Sequence, residues 1–167
     1  KTCSSIAIAE GFLYLSSIIF TEGMTTLNKV IVMTPASLQA NYKKELKKCG
    51  NELYQKNQYW EFIDTKLNPE MKDTLSYTLQ LPIDFIEKQG GAWFVNVKES
   101  SNYEKLSEIE KNSLNEQIDY MINYKYSFIN YNGIREARLD ALTNNDTTNL
   151  FDNKVVIIDE VHNFVSR

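Results

Sequence analysis

Asp159 and Glu160 directly follow the apolar run Lys154-Val155-Val156-Ile157-Ile158. A carboxylate at the end of a buried strand can hold Mg²⁺ through water, and a second can orient or deprotonate an attacking water. An acidic pair that merely solvates the turn after a strand would use the same residues, so the pair alone decides nothing. Lys1-Thr2 opens an apolar helical segment, as do the last two residues of the G-x-x-x-x-G-K-[ST] phosphate loop. In that setting the lysine contacts phosphate, the threonine ligates Mg²⁺, and the helix N-terminus adds its dipole. The dipeptide is common, so its weight comes from its place ahead of a hydrophobic strand and Asp-Glu. His162 is the single histidine, and Cys3 and Cys49 are far apart with no C-x-x-C spacing. A His/Cys zinc site is a poor fit, and no G-x-S-x-G elbow supports a serine triad. The two cysteines are expected as small buried thiols.

Charge and length narrow the classes further. The chain has 167 residues, 18 basic and 22 acidic, a net charge of −4. With 43% hydrophobic residues it can build one domain with a real core. The mild negative charge excludes bulk attraction to nucleic acid or anionic membrane, so any such contact must be local. The longest apolar stretch, Ile6–Phe20, is interrupted by Glu10, Ser16 and Ser17. It falls short of the roughly 20 residues that span a bilayer. Because the chain starts at Lys1 rather than Met and stops at Arg167, a window onto a longer protein is expected.

The elements that must position these residues read as α/β. Residues 1–20 have helical periodicity, with Ile6, Ala9, Leu13 and Phe20 on one stripe and Ile8, Phe12, Leu15 and Ile19 beside it. A helix apolar over most of its circumference is expected to be buried. A loop follows over Thr21–Asn28. The run Lys29–Thr34 predicts a buried parallel strand stopped by Pro35. Ser37 then caps a helix through Lys48 that Gly50 closes. Leu38, Tyr42 and Leu46 share one face of it. Lys43, Lys44, Lys47 and Lys48 share another, read as a solvated face in preference to a phosphate contact.

The middle of the chain is less regular. It predicts short strands at Tyr59–Ile63 and Trp93–Val97, and a helix over Pro82–Gln89 capped by Gly90-Gly91. Ser107 and Glu110 form a capping box for a helix reaching about Asn123, with Leu106, Ile109, Leu114, Ile118 and Ile122 inward. Trp60 and Trp93 suit packing better than base stacking. Beyond it come a strand over Tyr126–Tyr131, a turn at Asn132-Gly133, a helix over Ile134–Leu142 and a polar loop. A second buried strand covers 154–158. Alternating strands and helices imply a parallel sheet with helices on both faces, whose ligands sit beyond the carboxyl ends of the strands.

With these segments placed, a family resemblance emerges. Asp159-Glu160-Val161-His162 resembles the D-E-x-H form of motif II in superfamily 2 helicases and translocases. Val32-Met33-Thr34-Pro35-Ala36-Ser37-Leu38, with Asn41-Tyr42 and Glu45-Leu46, is similar to motif Ia of the Snf2-like branch. Ser127–Gly133 falls where that branch has a strand and turn before motif II, so three motifs run in the correct order. Asn51–Trp60, Gly90–Trp93, Gln117–Met121 and Lys125–Gly133 look like the DEAD/Snf2-like helicases of large nucleocytoplasmic DNA viruses. Relatives there include poxvirus nucleoside triphosphate phosphohydrolase I and the early transcription factor small subunit. The resemblance covers essentially the whole chain.

The resemblance implies a RecA-like P-loop NTPase lobe, the first of two, over 1–167. It would be truncated at both ends and carry a mixed insertion over 51–124. It implies ATP and Mg²⁺, with hydrolysis coupled to translocation on, or remodelling of, DNA or RNA. Lys1 would bind phosphate. Thr2 and Asp159 would hold Mg²⁺, and Glu160 would be the base for the attacking water. His162 would couple the nucleotide site to the nucleic-acid site or the second lobe. Thr34, Pro35, Ala36 and Ser37 would follow the nucleic-acid backbone, a plain strand-to-helix turn being the alternative. Implied partners are DNA or RNA, the second RecA-like lobe of the same chain, and viral RNA polymerase, without a membrane. The implied location is intracellular, in a virion or a viral factory in the host cytoplasm. A viral transcription factor subunit that binds polymerase or promoter DNA without unwinding would keep the same motifs. Motif Ia argues against an unrelated P-loop NTPase such as a kinase or packaging motor. The loop glycines, the Ser/Thr-Ala-Thr motif and the arginine-finger lobe are not in this sequence, so the stretch alone is expected to hydrolyse ATP poorly.

Overall fold

A computed structural model describes residues 1–18, 27–132, 136–144 and 147–162. Most of the expected 21–28 loop, the ends of the helices predicted at 1–20 and 134–142, and Gly133 lie outside the described residues. The chain divides into two compact units. One comprises Lys1–Glu45 with Tyr124–Arg167, the other Leu46–Asn123.

The first unit is a three-stranded, all-parallel sheet flanked by helices. Its strands are β1 (Lys29–Met33), β4 (Tyr126–Ile129) and β5 (Lys154–Ile158), in the order β4-β1-β5. In register, Val32 lies between Phe128 and Ile157, and Met33 between Ile129 and Ile158. The β-branched run of β1 suits a strand covered on both faces, and Val30, Ile31, Val32 and Met33 are all buried. One face carries Ile31, Met33, Ile129 and Tyr131, with Leu150 packed on them. The other is met by α1 (Thr2–Ile18) and α2 (Ala36–Cys49): Glu10 of α1 bonds Tyr126, and Tyr42 of α2 meets the Phe128 ring edge-on.

Two burial expectations are corrected. The strand at 154–158 forms, but at an edge of the sheet, and Val156 and Ile158 remain about two-fifths exposed (38% and 41%). A central strand has neighbours on both sides, whereas β5 has β1 on one side only among the described residues. The helix at the N-terminus also forms but is buried on one stripe, Ile6, Ala9 and Leu13. Ile8, Phe12 and Leu15 are exposed. Glu10 lies on the flank of α1 that turns toward β4. Ile8 and Phe12 lie on the flank of α1 opposite Glu10. Glu10 does more than interrupt an apolar run. Its carboxylate accepts from the Lys125 ammonium at 2.8 Å and the Tyr126 hydroxyl at 2.5 Å, with both charged side chains only 15% exposed.

Helix α2 starts one residue before Ser37, so Ser37 lies in its first turn and is not the cap. Pro35 leads in, its carbonyl accepting from the Leu38 amide at 2.9 Å. Gly50 ends the helix through a 3.0 Å bond to the Leu46 carbonyl. Cys3 and Cys49, expected as buried thiols, are half-buried, and neither is a free thiol.

The second unit pairs β2 (Trp60–Asp64) antiparallel with β3 (Gly91–Val95), Phe62 opposite Trp93. Beside this ribbon are α3 (Met71–Leu79), which the sequence reading did not anticipate, α4 (Ile83–Gln89) and α5 (Glu108–Lys125). A two-stranded ribbon has two open backbone edges. Here side-chain amides act as short strand substitutes on both. Asn102 takes the Trp60 N–H at 2.8 Å and donates to its carbonyl at 2.9 Å. Gln117 does the same for Trp93 at 2.8 Å each way. Both indoles are buried, donating to the Lys56 carbonyl and the Ser113 hydroxyl, which fits packing and not base stacking.

Gly90 caps α4 in the left-handed region at φ 75°, and Gly91 already belongs to β3. A Cβ at Gly91 would lie 2.2 Å from the Ile63 carbonyl oxygen, so the tight pairing requires glycine. The capping box is present. Ser107 donates its N–H and hydroxyl to Glu110 at 2.7 Å, and the Glu110 amide returns a 3.3 Å bond to Ser107. Leu114, Ile118 and Ile122 are buried, but Ile109, expected inward, is 83% exposed. Five residues separate it from Leu114, which at 100° per residue puts it well off that stripe.

Candidate functional site

The carboxyl ends of β1, β4 and β5 bring together Thr34, Tyr131, Asp159 and Glu160. Parallel pairing runs one residue past the strands on both sides of β1. The Asp159 amide donates to the Met33 carbonyl at 2.9 Å, and the Thr34 amide to the Ile129 carbonyl at 3.0 Å. These bonds hold Thr34 and Asp159 side by side, and the fully buried Thr34 hydroxyl points to Asp159 Oδ2 at 3.5 Å.

Glu160 has φ 52°, in the left-handed region that a branched-off Cβ disfavours. The Tyr131 hydroxyl braces this turn, directing its one proton between the carbonyls of Asp159 (3.0 Å) and Glu160 (3.1 Å). His162 is exposed, with Nδ1 3.4 Å from Glu160 Oε2, a pair that becomes ionic when the imidazole is protonated.

The start of α1 is tied to α2 through Ser5 and Tyr42. The Ser5 hydroxyl donates to the Thr2 carbonyl at 2.8 Å. Its one proton is thereby used, so in the 3.0 Å contact between Ser5 and Tyr42 the phenol is the donor. Burial raises the Tyr42 hydroxyl pKa above its ordinary value, and the negative charge of Asp159 adds to this. Tyr42 therefore touches the first turn of α1 and feels the carboxylate at the end of β5.

The predicted residues divide accordingly. Asp159 and Glu160 share one braced turn with His162 beside them. Lys1 is exposed and Thr2 half-buried at the opening of α1; among the described residues no hydrogen bond joins their side chains to Asp159 or Glu160. Of the four residues implied to follow nucleic acid, Thr34 and Pro35 are buried, and Ala36 and Ser37 are exposed. Within the lysine set, Lys47 pairs with Asp119 at 2.6 Å and Lys43 lies over the Phe128 ring. Sequence reasoning missed Tyr131, Ser5 and the polar role of Tyr42. A tyrosine two residues past a strand end was the available signal for Tyr131.

The donor set suits a hard cation. Asp159 offers carboxylate oxygens, one of them close to Thr34, and Glu160 supplies a second carboxylate in the adjoining residue. So few protein ligands match Mg²⁺, which keeps waters and takes its remaining ligands from phosphate.

Fold and site together define an α/β protein with a three-stranded parallel sheet, flanking helices and a braced carboxylate turn at the sheet's carboxyl end. Compared with known proteins, the chain matches no family model, no curated protein and no solved structure. Among the described residues, no helix is long and apolar enough to cross a membrane.

Proposed function

We propose that this chain forms a RecA-like ATPase lobe of the superfamily 2 type, binding Mg-ATP and coupling its hydrolysis to movement on nucleic acid. The observation that carries this reading is the braced turn at the carboxyl end of β5, where Asp159 sits against Thr34 and Glu160 is held in a left-handed conformation by Tyr131. Motif-like segments meeting at the end of a parallel sheet support it, because that is where open α/β sheets bind ligands.

In this reading Asp159 would hold Mg²⁺ through water, and the bound ion would supply charge neutralisation for the transferred phosphate. Glu160 orients and deprotonates the attacking water. Strained backbone is retained at functional positions when the surroundings over-determine it, and the two Tyr131 bonds do so here. Lys1 and the N-terminal amides of α1 meet phosphate, and the Thr2 side chain would hold the same Mg²⁺ as Asp159. Ala36 and Ser37, the exposed members of the motif Ia segment, face the nucleic-acid backbone. The proposed insertion between motif Ia and motif II, over 51–124, overlaps the second unit, Leu46–Asn123.

The test is calorimetric titration with ATP, with and without Mg²⁺. Tighter binding with Mg²⁺, lost in Asp159→Asn, is expected. Equal affinities, or no binding, sink the reading. In the longer protein, Glu160→Gln should keep Mg-ATP binding and lose phosphate release stimulated by DNA or RNA. Normal turnover in that variant removes Glu160 as the base. A strand-displacement assay run beside DNA binding separates a helicase from a transcription subunit.

A further inference from the structure

We infer that Tyr42 is a positioning residue for the proposed nucleotide site: its hydroxyl, acting through Ser5, sets the first turn of α1 relative to the carboxylate end of β5. The inference rests on the ATPase reading and concerns how Thr2 and Asp159 come to serve one metal ion.

The apolar contacts of α1 come from Ile6, Ala9 and Leu13. Such packing is non-directional and leaves the helix some freedom to slide and rotate. Hydrogen bonds remove that freedom. At the middle of α1, Glu10 supplies them through Lys125 and Tyr126. At its first turn, the directed chain runs from the Tyr42 hydroxyl to Ser5 Oγ and from Ser5 Oγ to the carbonyl of Thr2. Thr2 is the residue whose side chain is proposed to meet Mg²⁺.

The Tyr42 ring is itself fixed. It is buried on α2, and its edge-on contact with Phe128 has a centroid distance of 5.9 Å. The phenol is thus anchored by its ring independently of its hydroxyl. The Asp159 side of the arrangement is fixed by the amide bond to Met33 and the Thr34 contact. One tyrosine on α2, packed against β4, is therefore linked through Ser5 to the first turn of α1.

The experiment measures ATP affinity by calorimetry with Mg²⁺ and with EDTA, for the wild-type chain, Tyr42→Phe, Ser5→Ala, the double variant and Asp159→Asn. Tyr42→Phe should lower the ratio of the two affinities about fivefold, the scale of one hydrogen bond. The EDTA affinity should stay within about twofold. Ser5→Ala should do the same, and the double variant should lose no more than either single, because both break one chain. If Tyr42→Phe and Ser5→Ala leave the ratio unchanged while Asp159→Asn abolishes it, the positioning role is overturned and the ATPase reading stands. Equal weakening with and without Mg²⁺ also overturns it, since that is the mark of general destabilisation. If the wild-type chain shows no Mg²⁺-dependent binding, the ATPase reading fails and this inference falls with it. Ser5→Ala leaves the buried Tyr42 ring in place, so the test survives if Tyr42→Phe folds poorly.

Discussion

Glu160 offers a stability test whose sign runs opposite to the usual one. Its φ of 52° places an L-residue in the left-handed region. The steric cost there is roughly 1–2 kcal/mol for a residue with Cβ and close to none for glycine. Glu160→Gly and Glu160→Ala both remove the carboxylate and its 3.4 Å contact with His162, so that partly exposed pair cancels in the comparison. What remains is strain, which alanine keeps and glycine relieves, set against the extra chain entropy glycine loses on folding. Subtracting about 0.5–1 kcal/mol for that entropy leaves Glu160→Gly more stable than Glu160→Ala by about 0.5–1 kcal/mol. In a helix interior, glycine would instead be about 1 kcal/mol worse than alanine. Urea unfolding followed by circular dichroism reads the difference. With a slope of about 2 kcal/mol/M, the Gly midpoint should lie roughly 0.3–0.5 M above the Ala midpoint at equal slope. An Ala variant as stable as the Gly variant, or more so, would refute the claim that strain is stored in this turn. In the ATPase reading the Gly variant is also inactive, so greater stability and loss of hydrolysis should appear together.

Three further outcomes follow from named contacts. Tyr131→Phe removes the hydroxyl that braces the Asp159 and Glu160 carbonyls and should cost about 1–2 kcal/mol, a fall in Tm of about 2–8 °C by calorimetry. An unchanged Tm would show that the brace carries no energy. Glu10→Ala removes the carboxylate that accepts from the largely buried Lys125 ammonium and from the Tyr126 hydroxyl. It should destabilise by about 2–4 kcal/mol in urea, and a loss below about 0.5 kcal/mol would count against the triad. Glu110 is held below the usual carboxylate pKa chiefly by its side-chain bond to Ser107, then by the Ser107 backbone amide. A folded-state pKa below the unfolded one stabilises above the unfolded value and is lost as pH falls through the folded value. Ser107→Ala should therefore raise the Glu110 carboxyl pKa by NMR and shrink the protection of the first α5 amides at neutral pH, with the two chains converging in acid. A Glu110 titration that Ser107→Ala leaves unmoved would contradict the capping box.

Local chemistry was legible from the sequence alone. The β-branched runs of β1 and β5, the Ser107–Glu110 box and the Gly90 cap depend on residues a few positions apart, and their geometry follows from side-chain branching, hydrogen-bond reach and glycine's freedom. The Asp159-Glu160 pair was legible as well, because it follows a strand directly. Periodicity served less well where stripes were read too generously, as for Ile109. Tertiary structure alone decided which strand became an edge, since that depends on how many neighbours distant segments supply. The same run of valines and isoleucines is buried in the middle of the sheet and half-exposed at β5. It also decided the polar partners. Glu10 meets Lys125 across 115 residues, and Thr34 meets Asp159 across 125. A side chain's own sequence neighbourhood sets what bonds it can make, but the partner arrives only when the sheet brings distant strand ends to one level.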